Sequence, residues 1–334
     1  MIYEHAYEMI LDDVFLHLGG AISNVDVFLK IEALNPAGSI KLKAAVSMVE
    51  DAERRGVLPP GGCLVESSSG GLGIALAIVA VAKGYSFVCV TDPNTSVQSV
   101  DIMRALGVEL VEVDWRDSNG GYLGSRIAYI EQRIAADPAL VWLNQYANPA
   151  NPAVHQRCTA AAITAELDRV DYLFVGTGTG GTLMGCVNHF RKVSPDTKII
   201  AVDAAGSVSS GAAAGPRFIP GIGASRRPEI LHPEVVDDLL LVSEVDTIRT
   251  CRWLVRRHGL FAGGSTGSVV AAILRRGPEL PPGSRVVGIS PDFGDRYART
   301  IYDDAWVTER FGPGCLDDPG AVDADRTELS TMKG

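Results

Sequence analysis

Tyr172-Leu173-Phe174-Val175-Gly176-Thr177-Gly178-Thr179-Gly180-Gly181-Thr182 carries the clearest sign of the chain's architecture. Four apolar residues run into a turn built of glycine and threonine, and an apolar helical pattern follows. A continuous apolar run bounded by a turn reads as a strand buried on both faces. A strand that feeds a helix through a glycine-bearing loop is the repeating unit of a parallel sheet. Free backbone N–H groups at a helix start form an anion site, and with glycines allowing close approach a phosphate is the natural guest. The loop is not a P-loop, because no Gly-Lys-Ser/Thr follows.

The same rhythm extends in both directions. Towards the N-terminus, strands are expected over residues 25–31, 64–66, 87–90, 109–113 and 141–143. Helices are expected over 7–11, 40–54, 74–83, 97–106, 123–136 and 152–167. Towards the C-terminus, strands are expected over 198–203 and 285–289, with helices over 245–258 and 268–275. Residues 206–227 are long, glycine-rich and weakly patterned, which marks a functional loop. The fold class is therefore α/β: two lobes, each a mostly parallel sheet flanked by helices, with a cleft where their loops meet.

The chain of 334 residues has a formal net charge of −10, which argues against a nucleic-acid surface. Six scattered cysteines without a C-x-x-C pair read as reduced thiols, and the six histidines have no metal-ligand spacing, so no metal is expected. The first ten residues carry two glutamates and no basic region, and no apolar run is long enough to span a bilayer. A cytoplasmic protein without membrane contact is expected.

Three further stretches carry chemistry. In Asn35-Pro36-Ala37-Gly38-Ser39-Ile40-Lys41, the Asn-Pro pair starts a turn and Ser39 is placed to cap the next helix. Lys41 then falls in a first helical turn, where the dipole disfavours a cation, so a lysine there is either solvated or used with a lowered pKa. Ser67-Ser68-Ser69-Gly70-Gly71-Leu72-Gly73 sits between a strand and a helix and suits a carboxylate. Gly263-Gly264-Ser265-Thr266-Gly267-Ser268 could present a hydroxyl to a ring nitrogen. A lysine, a phosphate cradle, a carboxylate cradle and a hydroxyl together describe a site for pyridoxal 5′-phosphate.

These motifs, with Asn144-Gln145-Tyr146-Ala147-Asn148-Pro149, Pro220-Gly221-Ile222-Gly223-Ala224 and Pro291-Asp292-Phe293-Gly294-Asp295-Arg296-Tyr297, resemble the fold-type II pyridoxal-phosphate enzymes. The resemblance is to the cysteine synthase and cystathionine β-synthase group, which has a tryptophan synthase β-like fold, and it covers about residues 25–306. It implies a smaller mobile substrate-binding lobe over residues 36–144. The larger cofactor lobe would take residues 1–35 and 145–310, leaving a loose tail over 311–334. It makes Lys41 the catalytic Schiff-base lysine, Gly178, Thr179, Gly180, Gly181 and Thr182 the phosphate cradle, and Ser265 the partner of the ring nitrogen. Ser68, Ser69, Gly70, Gly71 and Gln145 would bind the substrate carboxylate. It also implies a homodimer. Two departures stand out: Gly71 occupies the place of an asparagine that contacts the cofactor's phenolic oxygen, and Lys41-Leu42-Lys43 replaces a common Lys-Asp-Arg.

Within that group, Glu66-Ser67-Ser68-Ser69-Gly70 and the 220–227 stretch resemble the synthases that join O-phospho-L-serine to L-glutamate. Those make N-(2-amino-2-carboxyethyl)-L-glutamate on the way to 2,3-diaminopropionate, for siderophores and peptide antibiotics. Arg126, Tyr146 and Thr179 match positions implicated in their substrate sites, and an NAD-dependent amino-acid dehydrogenase would act downstream. Anionic substrates need cations, and Lys43, Arg126, Arg226 and Arg227 are the candidates. An ordinary cysteine synthase and a catalytically inactive binding subunit are the rival expectations.

Overall fold

The computed structural model describes residues 2–209 and 211–316. After a 3₁₀ turn at Ala6–Glu8 come β1 (Phe15–His17), β2 (Asp26–Ile31), α1 (Lys41–Arg54), β3 (Cys63–Ser67) and α2 (Gly71–Lys83). Next are β4 (Ser86–Thr91), α3 (Val97–Ala105), β5 (Glu109–Glu112), α4 (Leu123–Ala136) and β6 (Leu140–Trp142). Helix α5 (Ala150–Val154) runs through a π turn at His155–Ala160 into α6 (Ala161–Glu166). The chain continues with β7 (Tyr172–Gly176), α7 (Gly181–Val193), β8 (Lys198–Ala204), β9 (Asp238–Val242) and α8 (Glu244–His258). It closes with α9 (Gly264–Arg276), β10 (Arg285–Ser290) and α10 (Asp304–Phe311).

Two sheets result. One has strand order β5-β4-β3-β6 and the other β1-β2-β10-β7-β8-β9. Among the strand pairs of the described residues, only β1–β2 is antiparallel. Parallel pairing requires covered faces, and the helices supply the cover. Helix α2 is apolar nearly all round because α1, α3 and the smaller sheet surround it. Its Leu72, Ile74, Leu76 and Val79 are almost wholly buried, each worth roughly 1.5–3 kcal/mol on folding. Helix α1 buries Leu42, Ala45, Met48, Val49 and Ala52, the i, i+3, i+4, i+7 stripe of a helix packed on one side.

The α/β architecture matches the sequence reading. Its errors have local causes. β1 is three residues long and β9 was hidden because Asp238-Leu239-Leu240-Leu241-Val242 borders the long loop without a turn signal. The helix expected over 7–11 is a 3₁₀ turn of three residues. Of the loose tail, residues 311–316 are folded, with Cys315 buried against Ile248 and Val307 beside the end of α10; residues 317–334 lie outside the described residues. No described helix is long and apolar enough to cross a membrane.

Candidate active site

Both sheets reverse strand order once, and the site lies at those reversals. In the smaller sheet the chain runs β3, β4, β5 outward and then returns to place β6 on the other side of β3. In the larger sheet it runs β7, β8, β9 and returns to place β10 on the other side of β7. At such switch points the loops at the strand carboxyl ends part and leave a crevice. A cavity of about 350 Å³ opens there, lined from both sheets, within the range of small-molecule sites.

Lys41 reaches the cavity because its loop is laced to the end of β10. Ile40 N donates to Pro291 O at 2.8 Å, and Ser39 bridges to Asp292. The expected Ser39 cap does not form: Ile40 is the N-cap of α1, and the Ser39 hydroxyl is buried, partnerless and turned to the cavity. Burial lowers the Lys41 pKa to about 8, against the opposing pull of Asp292. Desolvation at the positive end of a helix disfavours the ammonium form, so more of the amine is free to react at neutral pH.

The 176–182 loop follows β7 and opens α7. Gly178 and Thr179 line the cavity; Gly180, Gly181 and Thr182 do not, and instead form the N-cap and first turn of α7. Gly180 is left-handed at φ +87°, as glycine permits. An added β-carbon on Gly181 would overlap Asn151 Oδ1. Asn151 is buried and donates to Gln145 O at 2.8 Å, so it has nowhere to move. Gly181→Ala is therefore expected to cost roughly 2–4 kcal/mol and to weaken pyridoxal phosphate binding at least about tenfold. Thermal melts of the apo-protein and a cofactor titration check it; wild-type values in both would show that α7 need not hold this place.

The loop expected to take a carboxylate follows β3. Ser68 Oγ accepts from Gly70 N at 3.2 Å and Gly73 N at 2.9 Å, so what it can offer a bound anion is its own proton. Gln145, after β6, donates through Nε2 to Ser67 O at 2.8 Å and lies 3.4 Å from the Tyr146 hydroxyl. Glu66 fastens the two strand ends, accepting from Ser67 N, Trp142 Nε1 and Gln145 N. Its burial pushes its pKa up to about 7, while those donors pull it down.

Lys41, Ser68, Ser69, Gly70, Gly71, Arg126, Gln145, Tyr146, Gly178, Thr179 and Ser265 therefore share one cavity. Arg126 is buried with Nη1 at 3.3 Å from Asp92 Oδ2, and its Nε and Nη1 make no hydrogen bond. The other three proposed cations are not there. Lys43, two residues on from Lys41, points away and pairs with Asp12 and with Glu32 at 2.6 Å. Burial would lower its pKa, but those two carboxylates raise it overall. Arg226 pairs with Glu229, and Arg227 with Glu234 at 3.2 Å, both at the surface. Their neighbours' carboxylates account for all three.

Sequence reading missed Arg116, Arg217 and Arg296, which also line the cavity. With Lys41 and Arg126 they make five cations against the two acids Asp92 and Asp292, in a chain of net charge −10. A local concentration of positive charge opposite to the protein's overall sign attracts anions. Arg296 lay in a motif already noted, but without its ion pair nothing in the sequence assigned it a direction.

A family model described as "Pyridoxal-phosphate dependent enzyme" matches residues 15–292. An N-(2-amino-2-carboxyethyl)-L-glutamate synthase of Ralstonia nicotianae is 44% identical over 283 residues, 84% of each chain. A protein of the same name in Cupriavidus metallidurans is 41% identical, over 85% of each. Among solved structures, O-ureido-L-serine synthase superposes with TM-score 0.84 at 34% identity, covering 92% of this chain and all of the other. An O-acetylserine dependent cystathionine β-synthase from Helicobacter pylori superposes with TM-score 0.84 at 28% identity, over 90% and 99% of the two chains.

Proposed function

Since the chain belongs to the pyridoxal-phosphate dependent enzymes, we propose that it joins O-phospho-L-serine and L-glutamate into N-(2-amino-2-carboxyethyl)-L-glutamate, releasing phosphate. The observation that carries this reading is that, with Lys41 given to the cofactor and Arg296 tied to Asp292, Arg116, Arg126 and Arg217 still line the cavity against the single acid Asp92, suited to a phosphorylated donor and a dicarboxylate acceptor. The names of the two curated relatives agree with it. The protein is an enzyme of fold type II, and its residues fit the cofactor. A buried lysine of lowered pKa can bond the aldehyde. A helix N-terminus with close-approach glycines can take the phosphate. The buried Ser265, opening α9, can hydrogen-bond the ring nitrogen.

When bound, the cofactor supplies an electron-withdrawing ring conjugated to the substrate's amino group, which acidifies the Cα–H bond. Lys41 takes that proton as general base. The 68–71 loop and Gln145 hold the substrate carboxylate, and Arg126 holds the phosphate as the Cβ–O bond breaks. A neutral hydroxyl at the ring nitrogen favours loss of the β-substituent over charge stored in the ring. The glutamate α-amine then forms the Cβ–N bond and loses a proton, and Lys41 returns a proton to Cα. Closure of the smaller lobe, residues 36–144, excludes water during the exchange. The enzyme works as a homodimer, and its secondary amine product passes to an NAD-dependent dehydrogenase on the way to 2,3-diaminopropionate for siderophore or antibiotic assembly.

The test is a substrate panel read by mass. Phosphoserine and acetylserine are each offered with glutamate and with sulfide. The expected product is the glutamate adduct, formed at least about tenfold faster from phosphoserine, the margin of one charge-assisted pair. Ready formation of cysteine with glutamate ignored overturns the reading.

A further inference from the structure

The space beside Gly71 is walled in part by two buried polar atoms that have no hydrogen-bond partner. Gly71 is the first residue of α2 and is not among the positive-φ glycines, so its backbone does not demand glycine. A β-carbon built there would lie 3.3 Å from Lys41 Cγ, 3.4 Å from Ser39 Oγ and 3.5 Å from Arg296 Nη1. Ser39 Oγ and Arg296 Nη1 are both buried without a hydrogen-bond partner. The other arm of the guanidinium is fixed, with Nη2 donating to Asp292 Oδ2 at 3.1 Å, and the Tyr297 hydroxyl donates to the same oxygen at 2.9 Å. One edge of Arg296 is thus anchored while the other faces the gap that glycine keeps open. Buried donors left unpaired are unfavourable, so the arrangement implies an acceptor that arrives with a ligand.

Cofactor chemistry identifies that acceptor. The phenolic oxygen of pyridoxal phosphate sits on the ring carbon next to the one that bears the aldehyde. If Lys41 bonds the aldehyde, the oxygen must lie beside Lys41. We infer that Arg296 Nη1, with Ser39 Oγ, binds the cofactor's phenolic oxygen in place of the side chain that Gly71 lacks. This rests on the Lys41 reading above. A guanidinium stays charged at every relevant pH, so it favours the ionised oxygen and holds the titration of the cofactor's visible band low.

The experiment uses the full-length holoprotein. Arg296→Leu is expected to raise the pH midpoint of the visible band by about one unit and to weaken reconstitution by pyridoxal phosphate about tenfold. Adding Gly71→Asn to that variant, where the removed guanidinium leaves room, is expected to restore part of both. A role limited to anchoring Asp292 would give no such rescue. Arg296→Lys keeps a charge for Asp292 but loses the second arm, so it serves if the leucine variant does not fold, and the same two shifts are expected. A wild-type midpoint and affinity in a folded Arg296 variant, or no rescue by Gly71→Asn, overturns the inference alone. Wild-type protein that binds the cofactor without a visible band overturns the Lys41 reading and this inference with it.

Discussion

Lys41→Ala is expected to lower turnover by at least about 10³-fold, because on the proposed mechanism it removes the cofactor's attachment point and the Cα base together. The visible band should be absent, and borohydride should fail to fix the cofactor to the chain. The pH dependence follows from the lowered pKa, about 8. The rate at which apo-protein takes up cofactor should climb as pH rises towards about 8 and level above it, where the amine is already neutral. An ordinary lysine would level only near its usual value of 10.5. Stability moves with the same sign. Between those two values the unfolded chain holds the Lys41 proton and the folded chain does not, so the penalty fades as pH rises. Below about 8 it is fully present. Lys41→Met should therefore stabilise the apo-protein at neutral pH by on the order of 2 kcal/mol, discounted for the residue's partial opening to the cavity. An inactive variant with unchanged melting and normal cofactor attachment would place the chemistry on another residue.

The second large effect belongs to Arg126. Both it and Asp92 are buried, and removing one partner strands the other. Arg126→Met should destabilise the protein by roughly 3–5 kcal/mol and raise KM for O-phospho-L-serine, the proposed donor, on the order of a hundredfold. Adding Asp92→Asn removes the stranded charge. Melting should then recover most of its loss while KM stays high. That split separates a residue that grips the substrate from one that only holds the lobe together; full recovery of KM in the double variant would assign Arg126 to structure alone.

The two variants also trace what was legible in the chain. Lys41 could be noticed from sequence because its oddity is local: a cation in a first helical turn needs only the start of α1 to be recognised. The glycine loops were legible for the same reason, since strand, turn and helix patterns extend over about ten residues. Arg126 could not be separated from Lys43, Arg226 and Arg227 on those grounds. All four are cations beside a motif, and their directions depend on carboxylates elsewhere. Lys43 is drawn away by Asp12 and Glu32, while Arg126 is held at the cavity by Asp92. Ser39 shows the reverse error: it stands where a cap belongs, but its pairing with the end of β10 turns the hydroxyl into the cavity.

Local patterning accounts for the alternation of buried strands and helices, for the glycine turns that follow β3 and β7, and for the hydroxyl turn that opens α9. Periodicity and turn chemistry act over one or two turns of chain, so they can be read locally. Which charges face the ligand depends instead on contacts between distant parts of the chain. The reversals at β3–β6 and β7–β10 bring loops from residues 39 to 297 around one cavity. A buried charge there is positioned by whichever opposite charge the fold places within reach, because an unpaired charge in the interior is too unfavourable to leave alone.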